Sequence, residues 1–237
     1  MGKIRCFILI LGVLLFILNC TEKSTQPVIT PDRVQMIPSG LPYDKIESGI
    51  DAVPESNDIY LEWLDPDDPG VEFYEIYRSE DPAERFVPVG KVFDPDTSFS
   101  DEDVDLFTRY YYYVLAVSDQ NTRSESSDTL FYTLLEKPTN LSPSGVREET
   151  KPQLRWELVD GEDHYLARIM DNQLDEIIWM AELEFQYNNP VTVNFDSANV
   201  ISIDSLQRNR DYNWRVDVLR QEYNSGSESL WVPLRIE

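Results

Sequence analysis

The chain has 237 residues, with 44 Asp plus Glu against 20 Lys plus Arg and one His, for a formal net charge of -24. This acid excess excludes nucleic acid as the main partner, because phosphate binding needs clustered cations. It also excludes electrostatic docking on an anionic bilayer. At 41% apolar and 12% aromatic residues, the composition is that of a globular protein of one or two domains, each long enough to bury a core.

Lys3 and Arg5 open the chain, and residues 7–18 then carry no polar side chain. That run is too short to cross a ~30 Å hydrocarbon layer as a helix, which takes about 20 residues. Its length and flanks are those of a secretory signal. Residues 17–20 read ILNC, and the chain turns polar at once. This ending resembles the lipobox of bacterial lipoproteins, with Asn19 in the place of the usual small residue. The resemblance implies a signal peptide over residues 1–19 and lipidation of Cys20. Residues 20–40 are polar, Pro-bearing and without periodicity, and read as a flexible tether from the lipid. Thr21, rather than Asp, follows the cysteine. By the same resemblance this implies a cell-envelope lipoprotein of the outer membrane. A myristoyl signal from Met1-Gly2 would need Ser or Thr where Cys6 stands. With the signal removed and Cys20 lipidated, no thiol remains for a disulfide, a nucleophile or a metal.

From about Ile46 the pattern becomes short strands broken by turns. Residues 59–64 (IYLEWL) alternate around Trp63, and residues 65–70 (DPDDPG) make a turn. Residues 73–78 form the next strand. Residues 86–92 follow, with Pro88 suited to an edge. Residues 109–117 (RYYYYVLAV) carry the strongest strand pattern in the chain. A further strand falls within residues 124–135. The plan then repeats. Strands are expected at residues 153–158 around Trp156, 164–170, 176–180, 191–195, 200–203, 212–218 and 229–236. No window holds a helical apolar stripe.

Two halves of about seven short strands each predict an all-β fold of two sandwiches, with domains over residues 41–136 and 137–237. Here the residues resemble immunoglobulin-like domains of the fibronectin type III family. Trp63 and Trp156 fit that family's second-strand Trp. Tyr110 and Tyr212 fit its tyrosine corner. Tyr112, Val114 and Ala116, and likewise Trp214, Val216 and Val218, fit the inward row that runs on from the corner. Leu206 lies six residues before Tyr212, as in the family, whereas Leu106 lies only four before Tyr110, which implies either a shortened approach to the sixth strand of the first domain or a slip in its register against the family. All of these are structural roles.

Few residues offer chemistry. His164 stands alone, so it cannot build a multi-histidine zinc site, and it reads as an edge or surface residue. No Gly-rich phosphate loop, HExxH or GxSxG occurs. A hydrolase would need a facing carboxylate pair in a cleft, and the sequence singles out none. No cofactor is expected, with calcium as the one candidate. Asp65, Asp67 and Asp68 lie in one turn, at the same end of the sandwich as Asp119. A second acidic run covers Asp101, Glu102, Asp103 and Asp105. The plain alternative for both is a solvated acidic surface. Candidate ligand contacts are Tyr223 and Asn224 in a late loop, Trp179 if it sits on an exposed edge, and Tyr111 with Tyr113 on an outer face. The leading expectation is a non-catalytic interaction or spacer module of the envelope, its two domains in series, with a protein or glycan partner. A carbohydrate-binding module is the second reading and a small hydrolase the third.

Overall fold

The computed structural model describes residues 30–44, 48–160, 164–220 and 224–237. The expected signal peptide, the lipidation at Cys20 and the ligand contact at Tyr223 lie outside the described residues.

The first domain contains β1 (Gln35–Met36), β2 (Asp51–Ala52), β3 (Ile59–Leu64), β4 (Val71–Ser79), β5 (Val87–Phe93), β6 (Ser98–Asp101), β7 (Arg109–Ser118) and β8 (Leu130–Leu134). Its small sheet holds β1, β2 and β6, all paired with β3. The other sheet runs β5-β4-β7-β8. β3 and most of β7 bury alternate residues, as period-two patterning requires. Ile59, Leu61 and Trp63 face Tyr74, Ile76, Tyr112, Val114 and Ala116 across one apolar core.

The tether expected to reach residue 40 ends earlier. Val34 and Met36 are buried in the first core, and Met36 pairs with Trp63. Flanking prolines and polar neighbours hid a two-residue strand with its own alternation. β1 and β2 lie in one register along β3, with Met36 opposite Trp63 and Asp51 opposite Tyr60. They are one first strand interrupted by an excursion, of which residues 37–44 and 48–50 are described. Ile50 donates to the Ile37 carbonyl at 3.2 Å, closing the neck of that loop. We call it the strap.

The second domain contains β9 (Gly145–Arg147), β10 (Leu154–Trp156), β11 (His164–Asp171), β12 (Glu176–Glu184), β13 (Val191–Val193), a 3-10 turn at Phe195–Ser197, β14 (Arg210–Leu219), β15 (Ser225–Glu228) and β16 (Val232–Ile236). β10 pairs with β13, and β11, β12, β14, β15, β16 and β9 form the opposing sheet. Trp156, Trp179 and Trp214 fill its core together with Tyr165 and Phe195. The strand expected at residues 200–203 is reduced to one bridge between Ile201 and Met180.

The two larger sheets are one. β15 runs parallel to β8, with Ser225 opposite Thr133 and Gly226 opposite Leu134, which makes a continuous ten-stranded sheet. The Thr133 amide donates to Asn224 O at 3.2 Å and the Leu135 amide to Gly226 O at 2.9 Å. Gly226 permits this approach, since a Cβ there would lie 2.6 Å from the Val218 carbonyl oxygen and 3.0 Å from the Tyr132 hydroxyl. Paired residues share a face of a sheet. Leu134 points into the first core, whereas Leu219, the other partner of Gly226, points away from the second. The two small sheets therefore cover opposite faces of the shared sheet. The domains follow one another in sequence but stand side by side.

Both tyrosine corners form. The Asp105 amide donates to the Tyr110 hydroxyl at 3.1 Å, and the Gln207 amide to the Tyr212 hydroxyl at 2.8 Å. The first domain's approach is not shortened. Val104, six residues before Tyr110, packs on the core beside Leu106. Trp63, Trp156, Tyr110 and Tyr212 are all buried.

Candidate functional site

The strap is where the first domain grips the second. It lies on the outer face of β11 and β14. Arg168 on β11 is fully buried there. Its guanidinium donates to Pro42 O at 2.7 Å and Asp44 O at 3.2 Å, and it pairs with Asp217. Asp217 also lies 3.0 Å from Arg215 Nε, and Arg215 grips Glu228 with two bonds of 2.9 and 2.6 Å. Tyr43 donates to Glu182 at 3.0 Å, and its ring joins Leu166, Met180 and Leu219 in a small apolar cluster. Lys137, just after β8, donates to the carbonyls of Val53 and Pro54. Burial pulls its ammonium below the ordinary lysine range. Buried charges persist only when each finds a partner, and here the partners come from both domains.

The opposite face of the first domain's large sheet is aromatic and half exposed. Tyr77 on β4 and Tyr113 on β7 are direct cross-strand partners, stacked at 5.0 Å with 12° between ring planes. Phe86 covers Tyr113 at 4.8 Å. Tyr111 meets its cross-strand partner Phe131 at 5.6 Å. Cations rest on this strip. Arg109 lies 4.5 Å over the Phe131 ring, and Lys91 lies 3.2 Å over Phe73. At its centre Glu75 takes two bonds from Arg123, at 2.8 and 3.0 Å. Those bonds hold the Glu75 carboxyl below its usual range.

Phe131 also lines an apolar crevice of about 310 Å³, together with Leu41, Ile50, Leu130 and Asn224. Phe131 is the one residue common to crevice and strip, while Ile50 and Leu130 face the first core.

The remaining sequence candidates are dispersed. Trp179 does not sit on an exposed edge. It is buried in the second core, stacked on Phe195 at 5.6 Å, with its indole donating to Phe195 O at 2.8 Å. β12 has β11 on one side and the bridge to Ile201 on the other, and Trp179 stands on its core face. Asn224 accepts a bond from Thr133 through its backbone, at the junction of the two domains. In the acidic turn, Asp65 accepts the Asp67 amide at 2.9 Å, while Asp68 accepts the amides of Gly70 and Asp32 at 2.9 and 3.2 Å. These carboxylates cap their own turn. Among the described residues, no group of three or more His, Cys, Asp or Glu side chains is placed to hold a metal ion. Asp101, from the second acidic run, is buried. It pairs with Arg78 at 2.8 Å and accepts the Tyr112 hydroxyl at 2.9 Å. Burial, with the Asp101 charge adding to it, raises the Tyr112 phenol. His164, 16% exposed at its side chain, sits 3.5 Å from Glu182, with no second imidazole in the chain.

Arg168, Asp217, Arg215 and Glu228 escaped the sequence reading because charged residues on an outward strand face ordinarily meet water. Tyr77, Phe131 and Arg109 escaped it because their proximity to Tyr111 and Tyr113 depends on strand register. Pairing the 71–79 and 109–118 strands antiparallel would have been the one available signal.

No protein-family model matches the chain, and no curated protein matches it. Solved structures similar to it include chains described as fibronectin type III domains, alongside a beta-1,2-glucanase and pectate lyases. An Fn3-like protein from Clostridium thermocellum is 24% identical over 35% of this chain and 82% of its own, with a TM-score of 0.31. The chicken CNTN1 FN1-FN3 domains are 16% identical over 87% of this chain and 69% of theirs, with a TM-score of 0.38. A two-domain fibronectin type III segment of chicken tenascin is 17% identical over 78% and 94%, with a TM-score of 0.32. The chain is an all-β protein of two sandwiches, a class defined by its own strand order.

Proposed function

We propose that this chain is a non-catalytic lipoprotein of a bacterial cell envelope that works as a protein-interaction module. The observation that carries the reading is the half-exposed aromatic strip of the first domain, held on a two-domain block by the strap and the shared sheet. Aromatic residues with Arg at their margin are the composition of interface cores. A block of this kind presents its surface in one fixed orientation, so little ordering entropy is lost on binding. Side-by-side packing shortens the molecule, which favours interaction over a spacer role. The glycan-binding reading loses Trp179 as a platform, and the Tyr113 ring is already faced by Tyr77 and Phe86.

The envelope assignment is supported by the apolar run ending at Cys20 and by the polar stretch after it. Two lipid-related outcomes test it. Cys20→Ala should leave the detergent-extracted membrane fraction and collect in a soluble or unprocessed pool. A fully processed Cys20→Ala protein that fractionates like the parent would overturn the anchor. The interaction role is tested by crosslinking intact cells that carry a tagged copy. One protein recovered at near-equal amount supports it, and retention on cell-wall polysaccharide alone contradicts it.

A further inference from the structure

We propose that the outer face of the first domain's large sheet docks an acidic protein segment, which seats one apolar side chain in the crevice beside Phe131. The proposal rests on the interaction-module reading and names the partner's chemistry. Two observations converge on it.

The first is charge. The chain carries -24 overall, yet this face brings forward Lys91 and Arg109, each over a ring. Glu75, the acid at its centre, is neutralised by Arg123. An acidic partner is repelled by most of the molecule and meets attraction here. Electrostatic complementarity of this kind selects the docking face and speeds encounter.

The second is shape. The strip includes Phe131, which also lines the crevice of about 310 Å³ together with Leu41, Ile50 and Leu130. Ile50 and Leu130 face the first core, so a bound segment reaches the crevice past the Phe131 position on β8. Leu41 is 62% exposed on the strap, and Phe93 is 58% exposed at the far end of the strip. An aromatic strip with an apolar socket beside it matches a protein interface, in which a single anchor side chain fills a pocket and a polar rim excludes water. The socket is lined by the strap through Leu41 and Ile50 and by β8 through Leu130 and Phe131.

The test uses the full chain in its own cells. A photoreactive benzoylphenylalanine replaces Tyr113, and in a second strain Phe93. Control positions are Val146 and Leu174 on the second domain, both exposed. The expected result is an adduct at Tyr113 and Phe93 with one protein, through a crosslinked segment of net negative charge. R109E/K91E should cut its yield roughly tenfold or more, since charge reversal at a steered rim slows association. L41R, an exposed change that leaves both cores intact, should cut it similarly by blocking the socket. A crosslinked segment of net positive charge, an adduct only to glycan or lipid, or a yield indifferent to R109E/K91E and L41R would each overturn the proposal. Adducts confined to the control positions would overturn the docking face and leave the interaction reading standing. No adduct at any position would defeat both.

Discussion

Arg168→Met probes the grip between the domains. Arg168 is fully buried, pairs with Asp217 and donates to two strap carbonyls, Pro42 O and Asp44 O. Met keeps much of the apolar stem and removes the charge. Breaking a buried pair from one side costs about 3–5 kcal/mol, because the remaining charge loses its partner. Asp217 retains Arg215 at 3.0 Å, so the lower end applies, about 3 kcal/mol. For a protein of this size that is roughly 6–12 °C in Tm. Replacing both members by apolar residues is often close to neutral, so R168M/D217L should recover most of the loss. Urea denaturation of the four proteins gives the double-mutant cycle, and the expected coupling is about 2 kcal/mol or more. Limited proteolysis adds a local readout, with the strap cut faster in R168M. A loss under about 1 kcal/mol in R168M, with additive effects in the double mutant, would refute the reasoning.

Three further outcomes follow from the same geometry. Tyr110→Phe and Tyr212→Phe each remove one hydroxyl that accepts a backbone amide, so each should cost about 1 kcal/mol in urea, and no change in either would contradict the corner bonds. Trp179→Ala should cost about 3–5 kcal/mol, as truncation of a buried aromatic does, whereas a surface platform would lose little. The third concerns acid. Asp171 is buried, which raises a carboxyl's pKa, but Arg210 and the amides of Gln173 and Leu174 outweigh this and hold it below its ordinary value. Glu75 is held low by Arg123. A carboxyl whose folded pKa is depressed adds stability above its unfolded value, about pH 4, and that stability is lost as pH falls through the folded value. Melting temperature should therefore fall below about pH 4, less steeply in D171N. An identical acid limb in D171N would count against the Arg210 pair.

Much of the fold was legible because buried strands write their alternation into the sequence. The runs around Trp63, Tyr112 and Trp214 announce strands, and the tyrosine corners mark the same point in both halves. What stayed hidden has two physical sources. Short elements carry too few residues for a period, as with β1 and β9, so Val34 and Met36 read as tether. The contact between domains is set by pairing of distant strands. Nothing local to Gly226 or Leu134 says that they will be neighbours, and nothing local to Arg168 says that the strap will cover it. The same holds for the candidate site. Tyr111 and Tyr113 were visible as an outward pair, but Tyr77, Phe131 and Arg109 join them only through register. Trp179 stayed open between a core position and an exposed edge because its strand's neighbours are not written in the sequence, and it lies in the core.

The central claim is that the two sandwiches form one rigid body through the shared sheet and the strap. Residual dipolar couplings of the backbone amides in both domains test it most directly. One alignment tensor should fit residues 30–136 and 137–237 together. Two tensors of different magnitude or orientation would mean that the domains move independently, and the joint between β8 and β15 would then be wrong.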